Sequence, residues 1–339
     1  MKKRWSTRFE ADEIFGITAA EFEAKALETY RFQFEENSFY REYCTYRKAG
    51  LSKISKIADI PFLPISFFKT KKISTTNFEP EAIFESSGTT GSENSKHYIK
   101  NLNLYEQSFN KAFEAVYGDA GNYCILALLP SYLERNGSSL VYMVSKWIEK
   151  SKNQDSGFYL YDTEKLFLQL QKNEQQGIQT LLIGVSYALY DFAAAYPQPL
   201  KHCIVMETGG MKGRSLELTK EELHGFLQQQ WELQEIHSEY GMTELLSQAY
   251  SKGKGIYQAP PWMQVCIRAE DDPYQLLAYY GSSNETTAGA LNIIDLANRY
   301  SCSFIATDDT GIWYPDRRFK LLGRLENSDI RGCGLMLIS

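Results

Sequence analysis

Apolar positions in the first fifty residues recur at helical spacing. Phe22, Ala26, Tyr30 and Phe34 stand between charged neighbours, which predicts helix within 18–48. Ile60-Pro61-Phe62-Leu63-Pro64-Ile65 then ends helical geometry, because each proline lacks an N–H donor and biases its predecessor toward extended backbone. Beyond residue 80 the pattern alternates. Apolar runs at 123–129, 158–161, 180–183 and 202–206 read as strands, and segments near 138–150, 163–176, 186–195 and 220–231 read as helices. After Gly255, short apolar runs at 263–267, 276–280, 289–294 and 303–306 are separated by turn residues and read as a β-rich section. The expected fold class is therefore α/β, with mixed or parallel sheets carrying helices and a small C-terminal β-rich section. The expected organisation is a helical part over 1–80, an α/β core over 81–255 and the β-rich section over 256–339.

Composition narrows the classes. The 339 residues amount to about two domains' worth of sequence. A hydrophobic share of 43% and an aromatic share of 14% exclude an intrinsically disordered chain. Lys and Arg total 36 against 42 Asp and Glu, so no global basic field exists to hold nucleic acid. The six cysteines include no C-x-x-C spacing and the four histidines are scattered, which argues against a structural zinc site. So few cysteines fit a reducing compartment. Met1-Lys2-Lys3-Arg4 leads into no apolar segment, and the most apolar stretch, 181–196, is shorter than the ~20 residues of a membrane helix. The expectation is a cytoplasmic protein without a membrane span.

The strongest local signal is Ser86-Ser87-Gly88-Thr89-Thr90-Gly91-Ser92, with Lys96 behind it. The glycines let the backbone curl so that N–H groups converge, the hydroxyls donate further hydrogen bonds, and Lys96 adds charge. Such a loop suits a polyphosphate. It is not a Walker A loop, because no Gly-Lys-Ser/Thr follows. Alone, it also fits a polar hairpin turn. Four further segments draw attention: Thr208-Gly209-Gly210-Met211-Lys212, Glu239-Tyr240-Gly241-Met242-Thr243-Glu244 after a strand expected at 235–238, Thr307-Asp308-Asp309-Thr310-Gly311, and Gly323-Arg324-Leu325-Glu326. Each alone is also compatible with an ordinary turn or loop.

Taken together and in this order, these segments resemble the motifs of adenylate-forming enzymes, the superfamily of acyl-CoA synthetases, peptide-synthetase adenylation domains and luciferases. The resemblance implies the fold of that superfamily's large N-terminal domain, with ATP and Mg²⁺ as cofactors. It implies phosphate contacts from Ser86, Ser87, Gly88, Thr89, Thr90, Gly91 and Lys96. It places Tyr240 and Gly241 by the adenine near Gly209 and Gly210, Thr243 on the α-phosphate, Glu244 on Mg²⁺, and Asp309 with Arg324 on the ribose. Asp308 departs from the family's glycine, so the two aspartates could exchange roles. Arg324 opens a segment similar to the hinge that joins the large and small domains.

The sequence stops at Ser339, soon after Arg324, which resembles the short branch of LuxE-type acyl-protein synthetases that lack the usual C-terminal small domain and its lysine. That branch activates a fatty acid as acyl-AMP, moves the acyl group onto its own cysteine, and passes it to a partner. The ending Arg331-Gly332-Cys333-Gly334-Leu335 is similar, so the resemblance implies Cys333 as nucleophile. Two flanking glycines leave that thiol uncrowded and Arg331 favours the thiolate. With the lysine absent, Mg²⁺ and Lys96 would neutralise more of the α-phosphate charge. The implied partners are a carboxylic acid, foremost a fatty acid, and an acyl-acceptor or reductase protein. An acyl- or aryl-CoA ligase completed by another chain, and a nucleotide-binding protein without catalysis, stay open as alternatives. His97 and His237 adjoin the motifs and fit either a substrate contact or a structural role. Cys124, Cys203 and Cys266 sit inside apolar runs and read as core.

Overall fold

The computed structural model describes residues 11–86, 93–130, 137–209 and 218–325. The chain opens with helices α1 (Ala11–Phe15), α2 (Phe22–Glu36) and α3 (Ser38–Tyr46), then strand β1 (Leu63–Pro64) and the single turn α4 (Phe67–Thr70). Next come β2 (Ala82–Glu85), β3 (Lys96–Ile99), α5 (Leu102–Tyr117), β4 (Cys124–Leu128), α6 (Ser139–Lys150) and β5 (Gly157–Phe158). The centre holds α7 (Thr163–Gln176), β6 (Thr180–Val185), α8 (Ser186–Ala195), β7 (Cys203–Thr208), α9 (Lys220–Trp231) and β8 (His237–Tyr240). The remainder is all strand: β9 (Ala249–Ser251), β10 (Ile256–Gln258), β11 (Met263–Arg268), β12 (Leu276–Ala278), β13 (Thr287–Asp295), β14 (Phe304–Trp313) and β15 (Arg318–Arg324).

These elements form two compact units. One comprises Met1–Glu81, Ser95–Lys100 and Ala259–Ser339, the other Ala82–Asn94 and Asn101–Gln258. The breaks fall close to the composition changes at residues 80 and 255, and the helical N-terminal part groups with the β-rich section.

In the first unit, β12, β11, β13, β14 and β15 form an antiparallel run in that order, and β1 joins β14 in parallel through Leu63 opposite Ile305. The proline-bounded segment is thus extended, as its missing donors require. The helical pattern of 18–48 resolves into two helices because Asn37 interrupts it. The Asn37 side chain caps α3 by accepting from the Tyr40 N–H at 2.9 Å, and its amide donates to the Ser301 carbonyl at 3.1 Å. Tyr30, Tyr40 and Phe62 gather around Phe304, with Tyr40 stacked on Phe304 at 6.1 Å between ring centroids. Gln33, fully buried, donates to the carbonyls of Asn298 and Arg299 and so fixes α2 on the loop before β14.

In the second unit, β5, β4, β6, β7 and β8 are parallel, and β9 and β10 continue the sheet antiparallel beyond β8. Alternate strand residues face opposite sides. Leu126, Leu182 and Val205 pack beneath Leu166 and Leu170 of α7, Leu189 and Phe192 of α8, and Leu223, Leu227 and Trp231 of α9. On the opposite side Phe113 of α5 meets Trp147 of α6 and Tyr250 of β9. Helix α5 is absent from the sequence reading. Its signals are the Asn101 cap, which accepts from the Leu104 N–H at 3.2 Å, and the four-residue spacing of Tyr105, Phe109 and Phe113. Among the described residues, no helix is long and apolar enough to cross a membrane.

Candidate active site

In the second unit, parallel pairing sets Glu207 beside Ser238 and Thr208 beside Glu239. The glycine-rich segment and the Glu239–Glu244 motif therefore leave the sheet side by side. Neighbouring residues on these strand ends look to opposite faces, and two glutamates acquire opposite character.

Glu207 faces α8 and α9. Its carboxylate lies 2.6 Å from the Lys220 ammonium, and Ser186 Oγ lies 2.6 Å from its Oε1 and 2.5 Å from the Gly209 carbonyl. Burial would push this carboxyl up, but His224 at 3.8 Å, Lys220 and Ser186 outweigh it and hold it near 2. Lys220 also donates to Ser238 at 3.3 Å and to the Tyr257 hydroxyl at 2.7 Å, so its three protons are placed. Glu207 raises the Lys220 pKa against the opposing effect of burial. A capping box fixes this lysine at the start of α9: Thr219 Oγ1 accepts from the Glu222 N–H and the Glu222 carboxylate accepts from the Thr219 N–H. Tyr257 in turn meets the Tyr240 ring at 6.0 Å, edge to face. The buried ion pair thus underlies both Gly209 and Tyr240.

Glu239 faces the other way, with Tyr105 and Tyr250 as electrostatic neighbours. Burial raises its carboxyl, the Thr208 hydroxyl lowers it, Glu207 raises it again, and the balance is about 7. Gly241 follows at a place where an added Cβ would collide with Glu239 Oε1. Only a glycine leaves room for that carboxyl. Gly209 adopts φ +81°, a left-handed conformation that suits its residue type. Thr243 is half-buried and Glu244 is buried, 5% exposed, directly after the turn.

In the first unit, the Thr307-Asp308-Asp309 segment occupies a bulge. Ala290 faces Thr310 and Asn292 faces Ala306, so three residues of β14 stand opposite the single residue Leu291 of β13. Bulges of this kind re-aim side chains. Thr307 Oγ1 donates to the Leu291 carbonyl at 2.9 Å, and Arg268, 5% exposed, donates from Nη2 to the Thr307 carbonyl at 2.6 Å. Asp309 lies opposite Arg324 of β15, with 3.4 Å between Oδ1 and Nε. The two residues expected at the ribose are thus brought together, and Arg268, which braces their strand, has no counterpart in the sequence reading.

Ser86 directly follows β2 and is half-buried, and Lys96 opens β3 exposed. Ser87, Gly88, Thr89, Thr90, Gly91, Gly210 and Cys333 lie outside the described residues. His97 is buried against Phe68, and His237 is held by the Tyr117 hydroxyl at 3.1 Å with burial pushing its pKa down to about 4. Cys44, Cys124, Cys203, Cys266 and Cys302 are free and buried, and burial raises all five thiols. Among the described residues no group of three or more His, Cys, Asp or Glu is placed to hold a metal ion.

A sequence profile described as acyl-protein synthetase, LuxE, matches residues 18–339. A 66-residue stretch is 39% identical to the long-chain-fatty-acid–luciferin-component ligase of Photorhabdus luminescens, covering 19% of this chain and 56% of that protein. ATP-bound MatB from Rhodopseudomonas palustris superposes with a TM-score of 0.52 at 15% identity, over 72% of this chain and 48% of its own. The ATP-bound RpMatB-BxBclM chimera B1 gives 0.53 at 14% identity, over 72% and 47%. The chain thus spans about half the length of these relatives. The structural likeness establishes the α/β fold expected from the motifs, that of the large N-terminal domain of adenylate-forming enzymes. With the family profile matching nearly the whole sequence, the chain belongs to the LuxE acyl-protein synthetase family.

Proposed function

We propose that this protein activates a carboxylic acid, foremost a fatty acid, with ATP and transfers the acyl group through its own cysteine to a protein acceptor. The observation that carries the reading is the Asp309–Arg324 pair on a braced bulge, in a chain whose family profile covers residues 18–339. In the first step a carboxylate oxygen of the acid attacks the α-phosphorus. The new O–P bond forms as the bond to pyrophosphate breaks, giving acyl-AMP. In the second step a cysteine thiolate attacks the acyl carbon, a thioester forms, and AMP leaves with the electron pair of the broken C–O bond.

This chain's residues divide the work. Asp309 and Arg324 bind the ribose hydroxyls, Tyr240 and Gly209 flank the base, and Thr243 orients the α-phosphate. Ser86 through Gly91 and Lys96 hold the outer phosphates. Glu244 is a buried carboxylate directly after the turn, and its hard oxygens suit Mg²⁺, which is held by one or two carboxylates and completes its shell with phosphate and water. Bound there, the ion would neutralise phosphate charge. For the thiolate, five cysteines are buried with raised pKa, which makes them poor nucleophiles and leaves Cys333 as the candidate.

Intact-protein mass spectrometry tests this reading. Wild type and Cys333→Ala are incubated with ATP, Mg²⁺ and a panel of carboxylic acids. The expected result is an acyl-sized mass gain in wild type that hydroxylamine removes and the variant lacks. A gain that persists in Cys333→Ala rejects the nucleophile. Turnover that requires coenzyme A and ignores Cys333 makes the protein an acyl-CoA ligase instead.

A further inference from the structure

We infer that Arg268 is the positioning residue for ribose recognition: it does not touch the nucleotide but holds the bulge that aims Asp309. This rests on the reading of Asp309 and Arg324 as the ribose pair. The argument begins with the strand register. Three residues of β14 crowd opposite Leu291, so the segment loses its regular ladder partners, and unpaired backbone groups in a buried sheet must find others. The Thr307 side chain takes the Leu291 carbonyl. The Thr307 carbonyl itself is taken by Arg268 from β11, which lies beyond β13 in the sheet. The guanidinium crosses an intervening strand to do so, and β13 presents Ala290 opposite Arg268.

Arg268 has no carboxylate within salt-bridge distance among the described residues, although Asp308 and Glu270 attract it electrostatically. Its Nε has no hydrogen-bond partner among the described residues. A buried cation is costly, and a purely structural position would be filled more stably by an apolar side chain. What the guanidinium supplies is a fixed, charged donor on one backbone carbonyl. Two residues further on, the Asp309 N–H donates to Thr307 Oγ1 at 3.2 Å, which ties the aspartate's backbone to the same braced residue.

Calorimetric titration of ATP, 2′-deoxy-ATP and 3′-deoxy-ATP into wild type, Arg268→Met, Arg268→Lys and Asp309→Asn tests the inference. Wild type is expected to bind ATP more tightly than the deoxy analogues. Arg268→Met is expected to weaken ATP about tenfold, the effect of losing one charged hydrogen bond. It should leave the deoxy analogues nearly unchanged, so that the discrimination closes. Arg268→Lys, which keeps the charge but not the planar donor geometry, should restore part of it and stands in if the methionine variant does not fold. In the Asp309→Asn background, Arg268→Met should add no further loss. A folded Arg268 variant that keeps the wild-type ratio of ATP to deoxy-ATP affinity overturns the positioning role alone. Wild type that does not bind ATP, or an Asp309→Asn variant with full discrimination, overturns the ribose reading beneath it.

Discussion

Thr208 Oγ1 donates a 2.6 Å hydrogen bond to Glu239 Oε2, joining the paired ends of β7 and β8 on the face away from Lys220. The bond holds a glutamate whose carboxyl folding lifts from 4.5 to about 7. Between those values the native state carries a proton that the unfolded chain releases, so stability falls as pH rises through the window. The contribution is complete below about 4.5 and gone above about 7, and is worth on the order of 3 kcal/mol. Glu239→Gln keeps the Thr208 bond without the titration. Urea unfolding at pH 5 and pH 8 should show a loss of stability in wild type that is smaller in the variant by that amount. Equal losses in both proteins would contradict the assignment.

Lys220 compensates a carboxylate that is 2% exposed. Lys220→Met should cost up to about 3–5 kcal/mol by removing the ammonium from a buried Glu207 carboxylate that keeps only Ser186 and His224 beside it. The double variant Lys220→Met/Glu207→Leu should recover most of that loss. Denaturant midpoints of the three proteins decide the point, and a double variant no better than the single one rejects it.

Gly241→Ala places a methyl group against Glu239 Oε1. The carboxyl must move off Thr208, so a loss of about 1–3 kcal/mol is expected. The variant should also show weaker ATP binding, because the same turn leads to Thr243 and Glu244. Unaltered thermal unfolding would show that the turn has more room than its geometry indicates.

Glu244→Gln should remove acid-dependent ATP–pyrophosphate exchange, a loss of about a hundredfold or more, because a neutral amide cannot replace the carboxylate proposed to hold Mg²⁺. Exchange at the wild-type rate would move the metal ligand elsewhere.

The pairing of Asp309 with Arg324 favours Asp309 over Asp308 as the proposed ribose contact. Asp309→Asn is expected to raise the KM for ATP about tenfold or more, and Asp308→Asn by less. Steady-state kinetics with ATP varied would reverse the assignment if Asp308 proved the more sensitive.

Much of this was legible in residue order. The strands at 180–183 and 202–206 and the helices at 163–176 and 220–231 stand in the structure with small shifts at their ends, because amphipathic period and capping act within a few residues. The motif segments stood out because a few residue types recur in a fixed order along the chain. Their supports did not. Arg268 meets Thr307 39 positions later, and Ser186 meets Glu207 21 later. No local pattern marks either pair, since each exists only once strands are ordered in a sheet. The bulge at Leu291 was hidden for the same reason, as register belongs to two strands at once.

The helices α2 and α3 have a consequence for how the chain is made. Gln33 emerges from a ribosome 270 residues before Ser303, its partner. At ordinary elongation rates the wait is roughly fifteen to fifty seconds. Throughout it the rings of Tyr30 and Tyr40 lack Phe304, while Ala82–Asn94 and Asn101–Gln258 emerge and become available to fold as their own unit. The nascent N-terminus is thus a sticky aromatic segment waiting for the last strands, and chaperone demand should concentrate there.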